Sequence, residues 1–196
     1  MKGMVSERRQ NEAVLACAAR KGDREALREL LVRNWGWLRG LAYSIVGSSQ
    51  DVDDCLQDIC VRVIDKIESL SEPERFRPWL AVVARRQALK FRQQKRRRPV
   101  SLDEALAERQ CDERAGQAIE NMELKERCRQ VLEAAAALPD KYREVFMLAY
   151  SSELTYGQMA EILDVPVTTM QIRLVRARKM ILNKITGNSK NRVAEK

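Results

Sequence analysis

The break Asp164-Val165-Pro166 between two apolar periodic segments constrains this chain more than any other feature. It lies within residues 155–180, which read TYGQMAEILDVPVTTMQIRLVRARKM. Thr155 and Gln158 have the spacing of a capping box, which satisfies free backbone N–H groups at a helix start. Ala160, Ile162 and Leu163 can face a core. Proline breaks a helix interior but is tolerated in a first turn, where its missing N–H costs nothing. The segment therefore predicts a helix, a tight turn and a second helix. In that second helix Val167, Met170, Leu174, Ala177 and Ile181 recur at three- and four-residue steps as one apolar stripe. Thr168, Thr169, Gln171, Arg173, Arg176 and Lys179 fall on its other faces. Such a helix can lie in a DNA major groove. The competing reading is a plain helical hairpin with a solvated basic face.

The sequence has 196 residues and a net charge of +8, room for one domain or two small ones. The excess of positive charge points to a polyanionic partner. No run is long and apolar enough to span a bilayer, and the first ten residues lack the apolar core of a signal peptide. A cytoplasmic protein with no direct membrane insertion is the expectation. There are five cysteines and no histidine, which excludes mixed Cys/His zinc sites and His-based triads. Cys55 and Cys60 would diverge by about 140° on one helix, and Cys17, Cys111 and Cys128 are scattered. Idle thiols follow, with no metal site. No nucleophile–base pair or phosphate-cradling glycine loop is present, so neither catalytic residues nor a cofactor are expected.

Nearly every other periodic segment is also helical. Helices are expected over 12–20 and 23–37, with a further apolar stretch over 42–46 before the turn cluster Gly47-Ser48-Ser49. Residues 51–67 form an amphipathic helix with Val52, Cys55, Leu56, Ile59, Val63 and Ile67 on one face. Its aspartates lie largely elsewhere. A polar loop over 68–77 precedes a helix from Pro78 to about residue 95. Leu80, Val83, Ala84, Ala88 and Phe91 form that helix's inner face, and its outer face grows basic. Residues 99–121 turn acidic and lose periodicity, as a flexible linker does, apart from a short helical piece over 102–109. Helices over 123–137 and 141–150 then lead into the helix-turn-helix. The fold class is all-α: two small helical domains, 1–98 and 122–196, joined by that linker.

Two basic helices on separate units make a bidentate nucleic-acid binder, because tethering makes the second contact intramolecular. The acidic helix beside them repels DNA and better suits a basic protein surface. By itself it could equally be a solvated face.

At this point the residues become recognisable. The first half carries DVDDCLQDICVRVIDKI and then FRPWLAVVARRQALKFRQQKRRR. The second carries LPDKYREVFMLAYSSELTYGQMAEILDVPVTTMQIRLVRARKM. They resemble conserved regions 2 and 4 of the sigma-70 family, in its small extracytoplasmic-function group. The resemblance covers roughly residues 12–98 and 122–185. It implies an alternative sigma factor that recruits core RNA polymerase and directs promoter-specific initiation.

The resemblance also implies roles by position. Asp54, Gln57 and Asp58 match residues that dock on the β′ clamp helices, and the second unit would meet the β flap. The loop over 68–77 matches the segment that captures a flipped base of the −10 element. Arg77, Arg85, Arg86, Lys90 and Arg92 match −10 contacts. Trp79 matches a core position rather than a stacking platform. Thr168, Thr169, Gln171, Ile172, Arg173, Arg176 and Lys179 match the reader of the −35 element. An anti-sigma protein is an implied partner. Relatives often carry Asn and Asp where Arg86 and Lys90 stand, so this helix is unusually basic. They usually carry Gly where Asp164 stands; Asp tolerates the left-handed conformation better than most residues. Gln171, Ile172 and Val175 also depart from the common pattern. Gln can read adenine and Ile can contact a thymine methyl. A helix-turn-helix regulator acting without polymerase, or a sigma-like sequestering module, are the alternatives.

Overall fold

The computed structural model describes residues 2–97, 129–151 and 153–194. Among them every regular element is helical. The first unit runs α1 Lys2–Arg20, α2 Arg24–Val46, α3 Ser49–Lys66 and α4 Phe76–Arg97, with 3₁₀ turns Ile67–Ser69 and Pro73–Arg75 before α4. In the second, α5 is described over 129–136. It is followed by α6 Asp140–Ser151, α7 Tyr156–Leu163 and α8 Val167–Ala194. The linker over 99–121, its helical piece, Cys111, Cys128 and the start of α5 lie outside the described residues.

Local signals explain most boundaries. Gly22 takes a φ of +96°, and the Asp23 carboxylate then accepts from the Glu25 and Ala26 N–H groups at 3.0 Å to start α2. α2 runs unbroken where the sequence predicts two pieces. Gly36 and Gly40 each weaken a helix by about 1 kcal/mol relative to Ala. Burial of Trp37, Leu38, Leu41, Ala42 and Ile45 offsets that cost. Gly47 ends α2 in a left-handed conformation, its N–H donating to the Tyr43 carbonyl at 2.9 Å.

The expected inner faces of α3 and α4 are buried, from Val52 to Val63 and from Leu80 to Ala88, with Phe91 half-buried. The polar loop over 68–77 has more order than its composition predicts. Leu70 and Phe76 sink into the core at either end, and the 3₁₀ turns span the gap. Trp79 packs half-buried against the core with its ring centroid 6.0 Å from that of Phe76.

The α7–α8 pair follows its sequence signals closely. Thr155 N–H donates to Gln158 Oε1 at 2.9 Å, and Gln158 N–H donates to Thr155 Oγ1 at 3.3 Å. Asp164 adopts φ 55°, ψ 51°, and its N–H returns to the Ala160 and Glu161 carbonyls. Met170, Leu174, Ala177 and Ile181 are buried, whereas Val167 at the first turn is 41% exposed. A first-turn residue projects toward the helix start, here away from the core.

The two units pack on each other. α6 lies against α2, and α7 lies against α4. Val145 and Leu148 of α6 and Met159 of α7 are fully buried in the same apolar cluster as Leu38, Leu56 and Leu80. The opposite side of α6 contributes Phe146 to a smaller cluster with Ala134, Leu138, Ala177 and Ile181. Where α2 meets α6, a Cβ at Gly40 would stand 2.7 Å from Met147 Cε, the movable end of a flexible side chain.

Candidate functional site

Three surfaces carry the residues singled out in the sequence. The first is on α3. Asp54, Gln57 and Asp58 are exposed at i, i+3 and i+4, so they share one stripe. Gln87 Nε2 donates to Asp58 Oδ2 at 3.3 Å, which holds that carboxylate beside α4. Asp53 pairs with Arg39, and Asp51 pairs with Lys95. The stripe continues through Val61 and Ile64, 58% and 57% exposed. Sequence reasoning missed these two. The signal was present: they follow Asp54, Gln57 and Asp58 at the same helical spacing. An apolar pair beside acids marks a protein-facing patch better than a solvated one.

Behind this stripe, Cys55 is fully buried. Burial, followed by the negative charges of Asp58 and Asp51, pushes its thiol up to about 12. Burial also raises Cys60. Neither has the electropositive surroundings of a reactive thiol.

The second surface is the basic side of α4. Arg86 and Lys90 are exposed on it. Arg77, Arg85 and Arg92 are not available in the same way. Arg77 is 7% exposed and forms a two-pronged pair with Glu12, Nε to Oε2 at 2.7 Å and Nη2 to Oε1 at 2.9 Å. Its Nη1 lies 3.2 Å from Glu153 Oε2. Burial alone would lower this guanidinium; the hydrogen bond and charge of Glu12, with Glu153, outweigh it and hold the group above its usual value. Asn34 Nδ2 also reaches Glu12, and Trp37 Nε1 donates to Asn34 Oδ1 at 2.7 Å. Arg85 pairs with Glu144. Arg92 Nη1 donates to Asp140 Oδ2 at 2.7 Å and to the Ile45 carbonyl at 3.2 Å. The resemblance matches Arg77, Arg85 and Arg92 to −10 contacts, and the structure pairs each with a carboxylate.

The third surface is on α8. Thr168, Gln171, Ile172, Arg176 and Lys179 are exposed along one stripe, with Thr169 and Arg173 half-buried at its edge. Thr168, Gln171, Ile172, Val175 and Arg176 line one shallow concavity. Val175, 63% exposed, lines it as well and was absent from the sequence-derived set. A hydrogen bond with Arg176 lowers the Tyr142 phenol below its ordinary range, assisted by the charges of Lys141 and Arg176.

A stripe of polar, aliphatic and cationic side chains on the second helix of a helix-turn-helix suits base edges and phosphates. The α3 stripe suits a protein. The family model for Sigma-70 region 2 matches residues 30–98, and that for Sigma-70, region 4 matches residues 128–181. The ECF RNA polymerase sigma-E factor of Escherichia coli K12 is 31% identical over 180 residues, covering 89% of this chain and 94% of that protein. Its Haemophilus influenzae counterpart is 30% identical over 172 residues, covering 84% and 90%. Two solved structures share the fold. One is CnrH in complex with the cytosolic domain of CnrY, with TM-score 0.63 and 21% identity over 90% of this chain and 98% of CnrH. The other is the sigma factor RpoE with the anti-sigma factor NepR from Bartonella quintana, with TM-score 0.66 and 19% identity over 81% and 96%. The chain therefore belongs to the sigma-70 family of RNA polymerase sigma factors, in its extracytoplasmic-function group.

Proposed function

We propose that this sigma factor brings core RNA polymerase to its promoters through the three surfaces above. The α3 stripe of Asp54, Gln57 and Asp58 docks on the basic β′ clamp helices, with Val61 and Ile64 adding apolar contact. The second unit meets the β flap. Thr168, Thr169, Gln171, Ile172, Arg173, Arg176 and Lys179 on α8 read the −35 duplex. Arg77, Arg85, Arg86, Lys90 and Arg92 meet the −10 strand, and the loop over 68–77 receives its flipped base. Base flipping costs a few kcal/mol, which positive charge and a pocket offset. The protein does no covalent chemistry; the polymerase does. Its place of work is then the cytoplasm. A protein of the anti-sigma kind is a further partner, as NepR is for RpoE of B. quintana.

The observation that carries this reading is the exposed acid-and-aliphatic stripe on α3 in a chain that also presents a helix-turn-helix reading face. A regulator acting without polymerase would leave the α3 stripe unused. Run-off transcription with purified core polymerase on random promoter DNA tests the proposal. Productive starts should share two spaced motifs. Starts insensitive to Arg173→Ala and Arg176→Ala would remove the −35 assignment, and absence of any start would remove the sigma reading.

A further inference from the structure

The loop over 68–77 is anchored in the core by Leu70 and Phe76, and between them Ser71, Glu72, Glu74 and Arg75 stand exposed. A segment with so few apolar anchors needs other ties to hold one shape against its conformational entropy. α1 supplies them. Arg77 closes the loop and meets the Glu12 carboxylate through two hydrogen bonds, at 2.7 and 2.9 Å. Both partners are buried, at 7% and 3% exposed. A forked pair of this kind fixes orientation as well as distance. Glu12 is braced from behind by α2. Asn34 Nδ2 reaches its Oε1 at 3.5 Å and donates to the Leu30 carbonyl at 2.8 Å, while Trp37 Nε1 donates to Asn34 Oδ1 at 2.7 Å. Further along α1, Arg20 Nη1 donates to the Ser71 carbonyl at 3.3 Å. The two grips stand about 12 Å apart along the helix. Ala16 and Ala19 are buried between them, and the turn Pro73–Arg75 lies against the same helix.

A buried ion pair is a poor way merely to fill a core, because apolar side chains of similar volume are often as stable or more so. Its value lies in geometry. We propose that Glu12 and Arg20 of α1 are positioning residues for base capture at the −10 element. They act through Arg77 and Ser71, and hold the loop in the shape that receives the flipped base. This rests on assigning that loop to the flipped base. A loop held in shape beforehand spends no binding energy on ordering itself. Both residues precede the stretch matched by the region 2 model, which begins at residue 30. The role carries a distinctive sign. Glu12→Gln removes a negative charge near the loop, and by charge alone that strengthens the binding of a polyanion. Acting through the loop, the same substitution weakens it.

The test uses holoenzyme assembled from the full chain and core polymerase. The probe is the non-template −10 strand of a promoter recovered by the run-off selection, and a set of copies carries an abasic site at each −10 position in turn. With the native chain, one abasic position should lower affinity about tenfold, as loss of one stacked base does, and so mark the captured base. Glu12→Gln should lower affinity for the intact probe about tenfold through misplacement of the loop. Arg20→Ala, which removes one hydrogen bond, should lower it about threefold. Affinity for core polymerase should stay the same in both. On the probe that lacks the captured base, both variants should match the native chain, because the loop then has nothing to hold. Arg20 is only half-buried, so its variant covers the case in which Glu12→Gln fails to fold. Variants that lose the same factor on intact and abasic probes overturn the positioning role, as do variants that bind the intact probe as well as the native chain or better. A native chain indifferent to every abasic position overturns the assignment of the loop to a flipped base, and the positioning role with it.

Discussion

Ile172 stands 52% exposed beside Gln171 in the α8 concavity, with no packing duty to explain an aliphatic there. Removing it should leave folding almost untouched and change what the helix reads. Ile172→Ala should lower discrimination at one −35 base pair by about 1 kcal/mol, as loss of one or two buried methylene contacts does. Transcription from a promoter library, scored position by position, checks this. Cys55 makes a different prediction. Its buried thiol keeps its proton up to a pH of about 12, whereas the unfolded chain loses it near the ordinary thiol value of 9.0. Between those values the native state binds more protons, so its stability falls as pH rises. The slope from this one group is at most about 1.4 kcal/mol per pH unit. Denaturant unfolding of the native chain and of Cys55→Ala from pH 8 to pH 11 should show a steeper decline in the native chain. Parallel curves would show that the thiol titrates alike in both states.

At the scale of elements, α3 and the α7–α8 turn behave in opposite ways. α3 is amphipathic with apolar residues on both sides. Its inner face is buried, and Val61 and Ile64 are left facing out next to acids. Val61→Asp with Ile64→Asp should weaken core polymerase binding tenfold or more. Such surface changes alter stability by only about 0.5 kcal/mol each. Equilibrium binding to core polymerase, alongside thermal melting, separates the two effects. The α7–α8 turn depends instead on local chemistry. Thr155→Ala removes the capping oxygen and should cost about 1 kcal/mol. Asp164→Val places a β-branched residue at a positive φ and should cost more, while Asp164→Gly should be neutral or slightly stabilising. Melting temperatures should fall in the order Asp164→Gly, Thr155→Ala, Asp164→Val.

For the whole molecule, the shared cluster makes the two units one cooperative body. Calorimetry on the intact chain should give one transition at low salt. Leu148→Ala, which opens a cavity where α6 meets the first unit, should lower that transition as a whole, by about 2–5 kcal/mol. Two separated transitions in the native chain would show that the contact between units is too weak to couple them.

Much of this was legible in the residues. The 3.6-residue spacing of apolar side chains specifies which face of α3, α4 and α8 turns inward, because burial of that face outweighs all other local choices. The capping box, the left-handed Asp164 and the glycine ends of α2 were equally readable, since each is settled within a few residues of chain. The exposed stripe of α8 followed from the same periodicity. The tertiary structure alone decided what the basic side of α4 meets. Arg77 is matched by Glu12, 65 positions earlier, and Arg85 by Glu144, 59 positions later. Nothing local marks a charge as destined for solvent, for a buried partner or for another domain. That depends on which surfaces the packing of α1, α6 and α7 brings against α4, and here it sets carboxylates beside Arg77, Arg85 and Arg92.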